Sequence, residues 1–452
     1  MTAGGRLVDS GRILVLAYYF PPVSAGPTFV LQALVGQFDP SSIRVFSGDP
    51  ALYPLQIDAS LSTSGTEVRR YDVPRWWPTE DGELRLGGRR IRVRARAFGN
   101  VFVAFRVAVA SVRELRRPET RALLAVYPKQ HFLLAACLAS LISRKPLLVY
   151  FMDVYVEGLG SGRRTARMIE RVIAARASVV FAMSEPHREH LARVLRRRGQ
   201  VPYLVELPHP FDEAEREAAA TPIGANHRPA IVFTGAIYDA QADAVRRLIA
   251  ALEDARLAGM HLHLFTQTTE EELARHRIVP SRRVHVRTAT RGEARAAQRA
   301  ADVLFLPIGF DANEDVRRTA APSKMPEYLA AGPPILVHAP PDSYLARYAK
   351  DRGFAEIVER PTSGDLVDAV TRLLYDEERR SHLAAAAAET LERHRAPSVA
   401  ALLARGVAHA LGRTTGSQRP DELPDLSGAN DPAGEHDDHR KRYAQEQQHD
   451  PL

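Results

Sequence analysis

Short apolar runs alternate with helical patterns along most of this chain, in two series separated by a proline-rich break. In the first series Arg12 to Phe20 is a strand, the Pro21 to Thr28 loop follows, and Phe29 to Phe38 has helical spacing. Ile43 to Ser47, Glu67 to Tyr71, Ala122 to Tyr127, Pro146 to Met152 and Ser178 to Met183 are further strand-length runs. Helices are expected near His131 to Ile142 and over Arg163 to Ala177. The second series places strands at Ala230 to Gly235, His261 to Thr266, Arg283 to Thr288 and Val303 to Pro307, with helices over Gln241 to Ala255 and Arg291 to Ala300. A strand that reaches its neighbour through a helix pairs parallel to it, and a parallel sheet needs both faces covered. The pattern predicts an α/β protein with two doubly wound domains facing across a cleft, and ligands at the carboxyl ends of the strands.

At 452 residues the chain exceeds one core of ordinary size. The reading divides it into a first domain over 1–210, a linker over 211–228 and a second domain over 229–377. Pro208, Pro210 and Pro222 around the acidic stretch Asp212 to Glu217 mark the linker. An Ala-rich helical segment follows over 378–412, interrupted by Pro397 and free to pack back on the first domain. Residues 413–452 hold few apolar side chains, so a disordered tail is expected.

The formal charge is +7, but 413–452 hold five Lys/Arg against nine Asp/Glu, which leaves +11 on the rest. A basic body favours anionic partners, whether a sugar nucleotide, an anionic membrane or nucleic acid, and does not choose among them. The single Cys137 excludes a disulfide framework and a cysteine-rich zinc site, as suits a reducing cytoplasm. No apolar run reaches the roughly 18 to 20 residues of a membrane span; Ile13 to Phe20 reads as a buried strand, and no cleavage site follows Arg6 and Arg12. The expectation is an unexported chain. Arg89 to Arg117 interleaves basic residues with Phe98, Val101, Phe102, Phe105, Val107 and Val109. Two readings stay open there: a packed helix with a solvated basic face, or a peripheral anchor on an anionic membrane.

Ala321 to Val337 has the character of an anion-facing helix start that leads into a strand. Pro322 suits a first helical turn, Ser323 and Lys324 bring a hydroxyl and a cation to the free N–H groups, Glu327 sits about one turn in, and Gly332 ends the helix. With Tyr18-Tyr19-Phe20-Pro21-Pro22-Val23-Ser24-Ala25-Gly26-Pro27, Tyr150 to Tyr155, Met183-Ser184-Glu185-Pro186 and Phe233-Thr234-Gly235, this motif resembles the retaining glycosyltransferases of family 4, over about Arg12 to Leu374. The resemblance is to the subgroup with Pro-Ser-Lys ahead of Glu-Tyr-Leu-Ala-Ala-Gly. It implies the GT-B fold, two Rossmann-like domains across a cleft, and transfer of a sugar from a nucleoside-diphosphate donor.

The same resemblance implies site residues. On the donor side it points to Gly235, Ser323, Lys324 and Glu327, with Glu327 toward the ribose. Family members carry a second acid eight positions earlier, where this chain has Thr319, a donor-side candidate for a weaker neutral contact to a sugar hydroxyl, and basic residues after the strand-end glycine, where it has Ala236-Ile237-Tyr238-Asp239-Ala240. Lys324, Arg317 and Arg318 are the cations available to a diphosphate leaving group, which develops negative charge as the bond breaks. Toward the acceptor, the resemblance implies Gly26, His131, Asp153 and Ser184, with Asp153 and His131 as the catalytic candidates.

Ahead of the tail, the chain has no phosphate loop, nucleophile elbow or His-Glu-x-x-His pair, and no evident aspartate pair that would hold a divalent ion with a sugar nucleotide. His436, Asp437, Asp438 and His439 lie in the tail without a scaffold, so no metal site is assigned. The expected enzyme is a cytoplasmic, metal-independent glycosyltransferase, alone or peripheral at the inner membrane face. It needs no cofactor and no nucleic acid. Its partners are a nucleotide-sugar donor and a glycan, lipid-linked or small-molecule hydroxyl acceptor. A non-hydrolysing sugar-nucleotide epimerase shares this architecture, and a degenerate member that binds a glycan or partner without catalysis is the third reading.

Overall fold

The computed structural model describes residues 7, 11–50, 57–58, 61–63, 65–71, 83–86, 89–92, 95–153, 163–196, 202–213 and 223–412. The expected tail and half of the expected linker, residues 214–222, lie outside the described residues.

The first half is built on β1 (Arg12–Ala17), β2 (Ile43–Gly48), β3 (Glu67–Tyr71), the antiparallel hairpin of β4 (Glu83–Leu86) and β5 (Arg89–Arg92), then β6 (Thr120–Tyr127), β7 (Leu147–Phe151), β8 (Ala177–Ala182) and β9 (Tyr203–Glu206). Its seven-stranded sheet runs β3-β2-β1-β6-β7-β8-β9, all parallel. The second half has β10 (Ala230–Thr234), β11 (His261–Phe265), β12 (Val284–Arg287), β13 (Val303–Pro307), β14 (Ile335–His338) and β15 (Ala355–Val358). These form a six-stranded parallel sheet in the order β12-β11-β10-β13-β14-β15.

Both sheets carry apolar cores on both faces, so their strands read as nearly continuous apolar runs. Alternation within β1 shows the division: Leu14 and Leu16 join Val107, Phe132 and Leu133 on one side, while Ile13, Val15 and Ala17 join Val30 and Leu34 on the other. In each sheet the strand order reverses direction beside the first strand, between β1 and β6 and between β10 and β13. Loops leaving the carboxyl ends of these four strands diverge there and leave a crevice.

The Ala-rich segment forms two helices rather than one interrupted helix. Glu377–Glu392 packs on the second half through Leu383 and Leu391, and Ala396–Ala410 packs on the first half, where Val399, Leu403 and Val407 join Val30, Leu34 and Phe181. Pro397 sits in the opening turn of the second helix, where its missing N–H costs nothing; the break lies just upstream. Gly406 lets this helix approach closely, because a Cβ there would lie 2.4 Å from the buried Phe181 ring. At the return, Phe211 N donates to His394 O and Ala396 N donates to Phe211 O, so both chain crossings between the halves run side by side.

The Arg89–Arg117 segment divides into β5 and the helix Ala95–Leu115. That helix buries Val103, Val107 and Val112 against the sheet and leaves Val101 and Phe105 more than 60% exposed. Among the described residues, no helix is long and apolar enough to cross a membrane.

Candidate functional site

The crevice gathers residues from all four switch-point loops. After β1, the chain turns through Tyr18 to Ala25 and opens the helix Gly26–Val35, with Pro27 in its first turn. After β6, the helix Gln130–Ser143 starts with His131 in its first turn. After β10 comes Gly235, and after β13 the chain passes through a short helix, Glu314–Thr319, to the turn before Met325–Ala331.

Lys324 has a defined seat at the end of β10. Gly235 has φ +117°, a conformation that residues with side chains rarely adopt, and a Cβ there would lie 3.1 Å from Lys324 Nζ. The same amine lies 3.8 Å from the centroid of the Phe233 ring. Burial pulls Lys324 down to about 7, with Glu327 acting the other way. Burial therefore weakens the amine's hold on its proton, and an arriving anion would strengthen it.

The proline of the motif differs from its expected place. Pro322, Ser323 and Lys324 form a turn closed by Met325 N donating to Pro322 O at 3.0 Å, and the helix begins at Met325 with Pro326 as its first-turn proline. Glu327 still falls in the first helical turn, and Gly332, at φ +100°, still ends the helix.

Glu327 is not an isolated acid. Its Oε1 accepts from Arg291 at 3.1 Å, its Oε2 accepts from Gln298 at 3.2 Å, and Arg295 lies 3.7 Å away. Gln298 also donates to Thr234 Oγ1 at 2.9 Å, while Tyr328 OH accepts from Thr234 N at 2.9 Å. This network locks the end of β10 to the helix that carries Glu327. Each carboxylate oxygen keeps acceptor capacity beyond one such bond. A recess of 260 Å³ adjoins Glu327, lined by Phe211, Arg295, Gln298, Arg299 and Leu391 among others. Arg291, Arg295 and Gln298 were not evident from the sequence; the capping box Thr290-x-x-Glu293 that starts their helix was the available signal.

Several expected ligand contacts are engaged elsewhere. Arg317 donates to Asp342 at 2.7 Å, and Arg318 pairs with Glu314 at 2.9 Å and approaches Asp342. Both cations therefore serve a local ion-pair cluster. Thr319 is buried and donates its hydroxyl to Asp315 O at 2.6 Å, back along its own helix. Ser184 is buried too, and its hydroxyl donates to Thr319 O at 2.7 Å, tying the first half to the second rather than presenting itself to an acceptor.

Across the crevice the two halves already touch. A Cβ at Gly26 would lie 3.4 Å from Ser323 Oγ, Gln267 donates to Ser24 Oγ at 3.2 Å, and Arg291 stacks 4.1 Å over the Phe29 ring. His131 packs edge-on to Tyr18 at 5.0 Å, and Lys129 lies over the Tyr18 and Tyr19 rings. Burial, reinforced by Lys129, depresses His131 to about 4, so it is neutral at physiological pH. Asp153 follows β7 at a solvent-accessible position, yet the protein walls around it push its carboxyl up to about 6. It acts electrostatically on both Tyr127 of the first half and Tyr238 of the second. Asp153 therefore belongs to the cleft, and Tyr238, which replaces part of the expected basic strip after Gly235, faces it there.

No family model and no curated protein matches this chain. Solved structures do. Anabaena Alr3699/HepE in complex with UDP and glucose is similar at TM-score 0.60 and 14% identity, covering 88% of this chain and 99% of its own. The α,α-trehalose 6-phosphate synthase of Burkholderia multivorans is similar at TM-score 0.61 and 12% identity, covering 89% and 98%. A candidate UDP-N-acetylglucosamine 2-epimerase from Listeria monocytogenes is similar at TM-score 0.51 and 12% identity, covering 90% and 99%. With two parallel doubly wound sheets and these neighbours over most of its length, the chain has the GT-B fold.

Proposed function

We propose that this protein is a glycosyltransferase that moves a sugar from a nucleoside-diphosphate donor to a hydroxyl acceptor with retention of anomeric configuration. The observation that carries the reading is the seat of Lys324, an amine packed against Gly235 and the Phe233 ring, one helical turn from a Glu327 held in place by Arg291 and Gln298. The solved neighbours in complex with UDP, and with UDP and glucose, support a nucleotide-sugar donor. In this reading Lys324 becomes fully charged against the donor diphosphate and stabilises the leaving group, without a catalytic metal. Glu327 accepts from the ribose hydroxyls with its remaining lone pairs. Asp153, raised to about 6, orients or deprotonates the acceptor hydroxyl, and neutral His131 offers it a hydrogen bond. Contact between the halves at Gly26 and Ser323 excludes water from the reacting sugar.

The acceptor class is a glycan, a lipid-linked sugar or a small molecule. A lipid-linked acceptor is favoured by one surface: Val101, Phe105, Leu141, Ile142 and Met168 are exposed on adjacent helices of the first half, beside exposed Arg164, Arg167 and Arg171. Such a mixture suits peripheral contact with an anionic membrane at the cytoplasmic face.

A thermal-shift panel of UDP, GDP, ADP and dTDP tests the donor assignment, since a ligand of the folded state raises stability by mass action. At least one nucleotide should raise Tm, and an unchanged Tm across saturating concentrations of all four overturns the reading. The epimerase alternative rests on the Listeria neighbour. Incubation with UDP-sugars in the absence of acceptor separates the two, because an epimerase turns over alone.

A further inference from the structure

A second constellation lies at the other end of the donor-side sheet, away from Gly235. His261 and His263 fall two apart on β11 and therefore share a face. The parallel register puts His285 of β12 directly beside His263, and the turn Ala225–His227 ahead of β10 brings His227 over both. His227 and His285 stack with ring centroids 4.2 Å apart, and His263 and His285 lie 4.7 Å apart.

One ring nitrogen from each of His227, His263 and His285 lies within 4.8 Å of the others. His263 is 1% exposed, and its Nδ1 is buried with no hydrogen-bond partner. An unpaired buried imidazole nitrogen is costly, and a native structure normally satisfies it. His261 Nδ1 lies 3.0 Å from His285 Nε2, which either orients that ring or supplies a fourth nitrogen. Burial is graded, with His227 exposed, His285 intermediate and His263 buried, so an ion has a path in from solvent.

We propose that His227, His263 and His285 bind a divalent transition-metal ion of the zinc class. An all-imidazole set without a carboxylate suits zinc, copper or nickel and disfavours magnesium and calcium, which prefer oxygen. Three nitrogens leave a fourth position for water or His261. The ion would clip the turn at His227, where the chain enters the second half, to β11 and the edge strand β12. Its role is structural and separate from sugar transfer, so it stands or falls independently of the donor reading.

Uptake of Co2+ and Zn2+ by the full chain without an affinity tag tests this. The tail histidines are controlled by the triple variant His436→Ala/His439→Ala/His449→Ala. The expected result is one equivalent of Co2+ with a visible absorption band, displaced by Zn2+, retained in the tail variant, and accompanied by a higher Tm. His227→Gln and His285→Gln should each weaken uptake by ~100-fold or more while circular dichroism stays unchanged, because coordination needs every ligand in place. His227 is exposed, so its substitution is the test least exposed to misfolding. Absence of uptake by the wild-type chain, or uptake lost in the tail variant and kept in His227→Gln, overturns the proposal.

Discussion

Gly235→Ala tests the seat of Lys324. With φ +117°, position 235 holds a backbone conformation that a side chain rarely adopts, and the new Cβ would lie 3.1 Å from Lys324 Nζ and 3.3 Å from its Cε. The backbone strain alone costs about 1–3 kcal/mol. The amine must also give way, and with the Phe233 ring centroid 3.8 Å from it, the retreat runs sideways, out of line with a bound diphosphate. Losing one charge-assisted contact costs about 1.5–3 kcal/mol, or roughly 10- to 150-fold in Kd. Urea unfolding reads the first effect, and calorimetric titration with UDP, or with whichever diphosphate of the panel binds, reads the second. Lys324→Ala removes the same contact without touching the backbone. The double variant should therefore bind no more weakly than Lys324→Ala alone, a coupling that independent sites would not show. An unchanged urea midpoint in Gly235→Ala refutes the backbone argument. Wild-type affinity in Gly235→Ala, alongside weakened binding in Lys324→Ala, refutes the claim that the glycine sets the amine's position.

Three further outcomes follow from the same geometry. The folded chain holds Lys324 near 7 against 10.5 for an ordinary lysine, so the unfolded chain binds more protons between those values, and this group's contribution to stability rises with pH across that window and is flat below it. A diphosphate reverses that shift; calorimetry near pH 8 in buffers of different ionisation enthalpy should detect proton uptake on UDP binding in the wild type and none in Lys324→Ala. If Asp153 handles the acceptor proton, the pH–rate profile has a limb rising through about 6, and Asp153→Asn should abolish that limb and lower kcat by ~100-fold or more. Gly406→Val should lower stability by about 1–3 kcal/mol in urea unfolding, because Phe181 has no free space to move into.

The fold was legible because parallel strands buried on both faces leave continuous apolar runs, and every run in the second series coincides with an observed strand to within a residue or two. Strand β14 is the strand expected after Gly332, whereas β9 and β15, each four residues long, carry too little pattern to stand out from the loops around them. Lys324, Gly235 and Glu327 were legible because their spacing along the chain reports their spacing in the crevice. Arg291 and Gln298 were not, since they reach Glu327 from a helix about thirty residues upstream, and helical periodicity marks only which face is buried. Arg317 and Arg318 show the opposite failure. Their charge suited a diphosphate, but a carboxylate at Asp342, distant in sequence, engages both. The histidine cluster leaves no local sequence signature for the same reason, as its members come from three separate elements.

The helix Ala396–Ala410 has a consequence for how this chain is made. It is the last described element, yet Val399, Leu403 and Val407 complete a core whose other members begin at Leu7. Domains that emerge first from the ribosome usually close before later ones are synthesised. Here the first half waits for residues 396–410 with an apolar strip over β7, β8 and the helix Gly26–Val35 still uncovered. Premature termination upstream of residue 396 would leave that strip permanently open, so truncated translation products should be sticky even where the whole second sheet has been made.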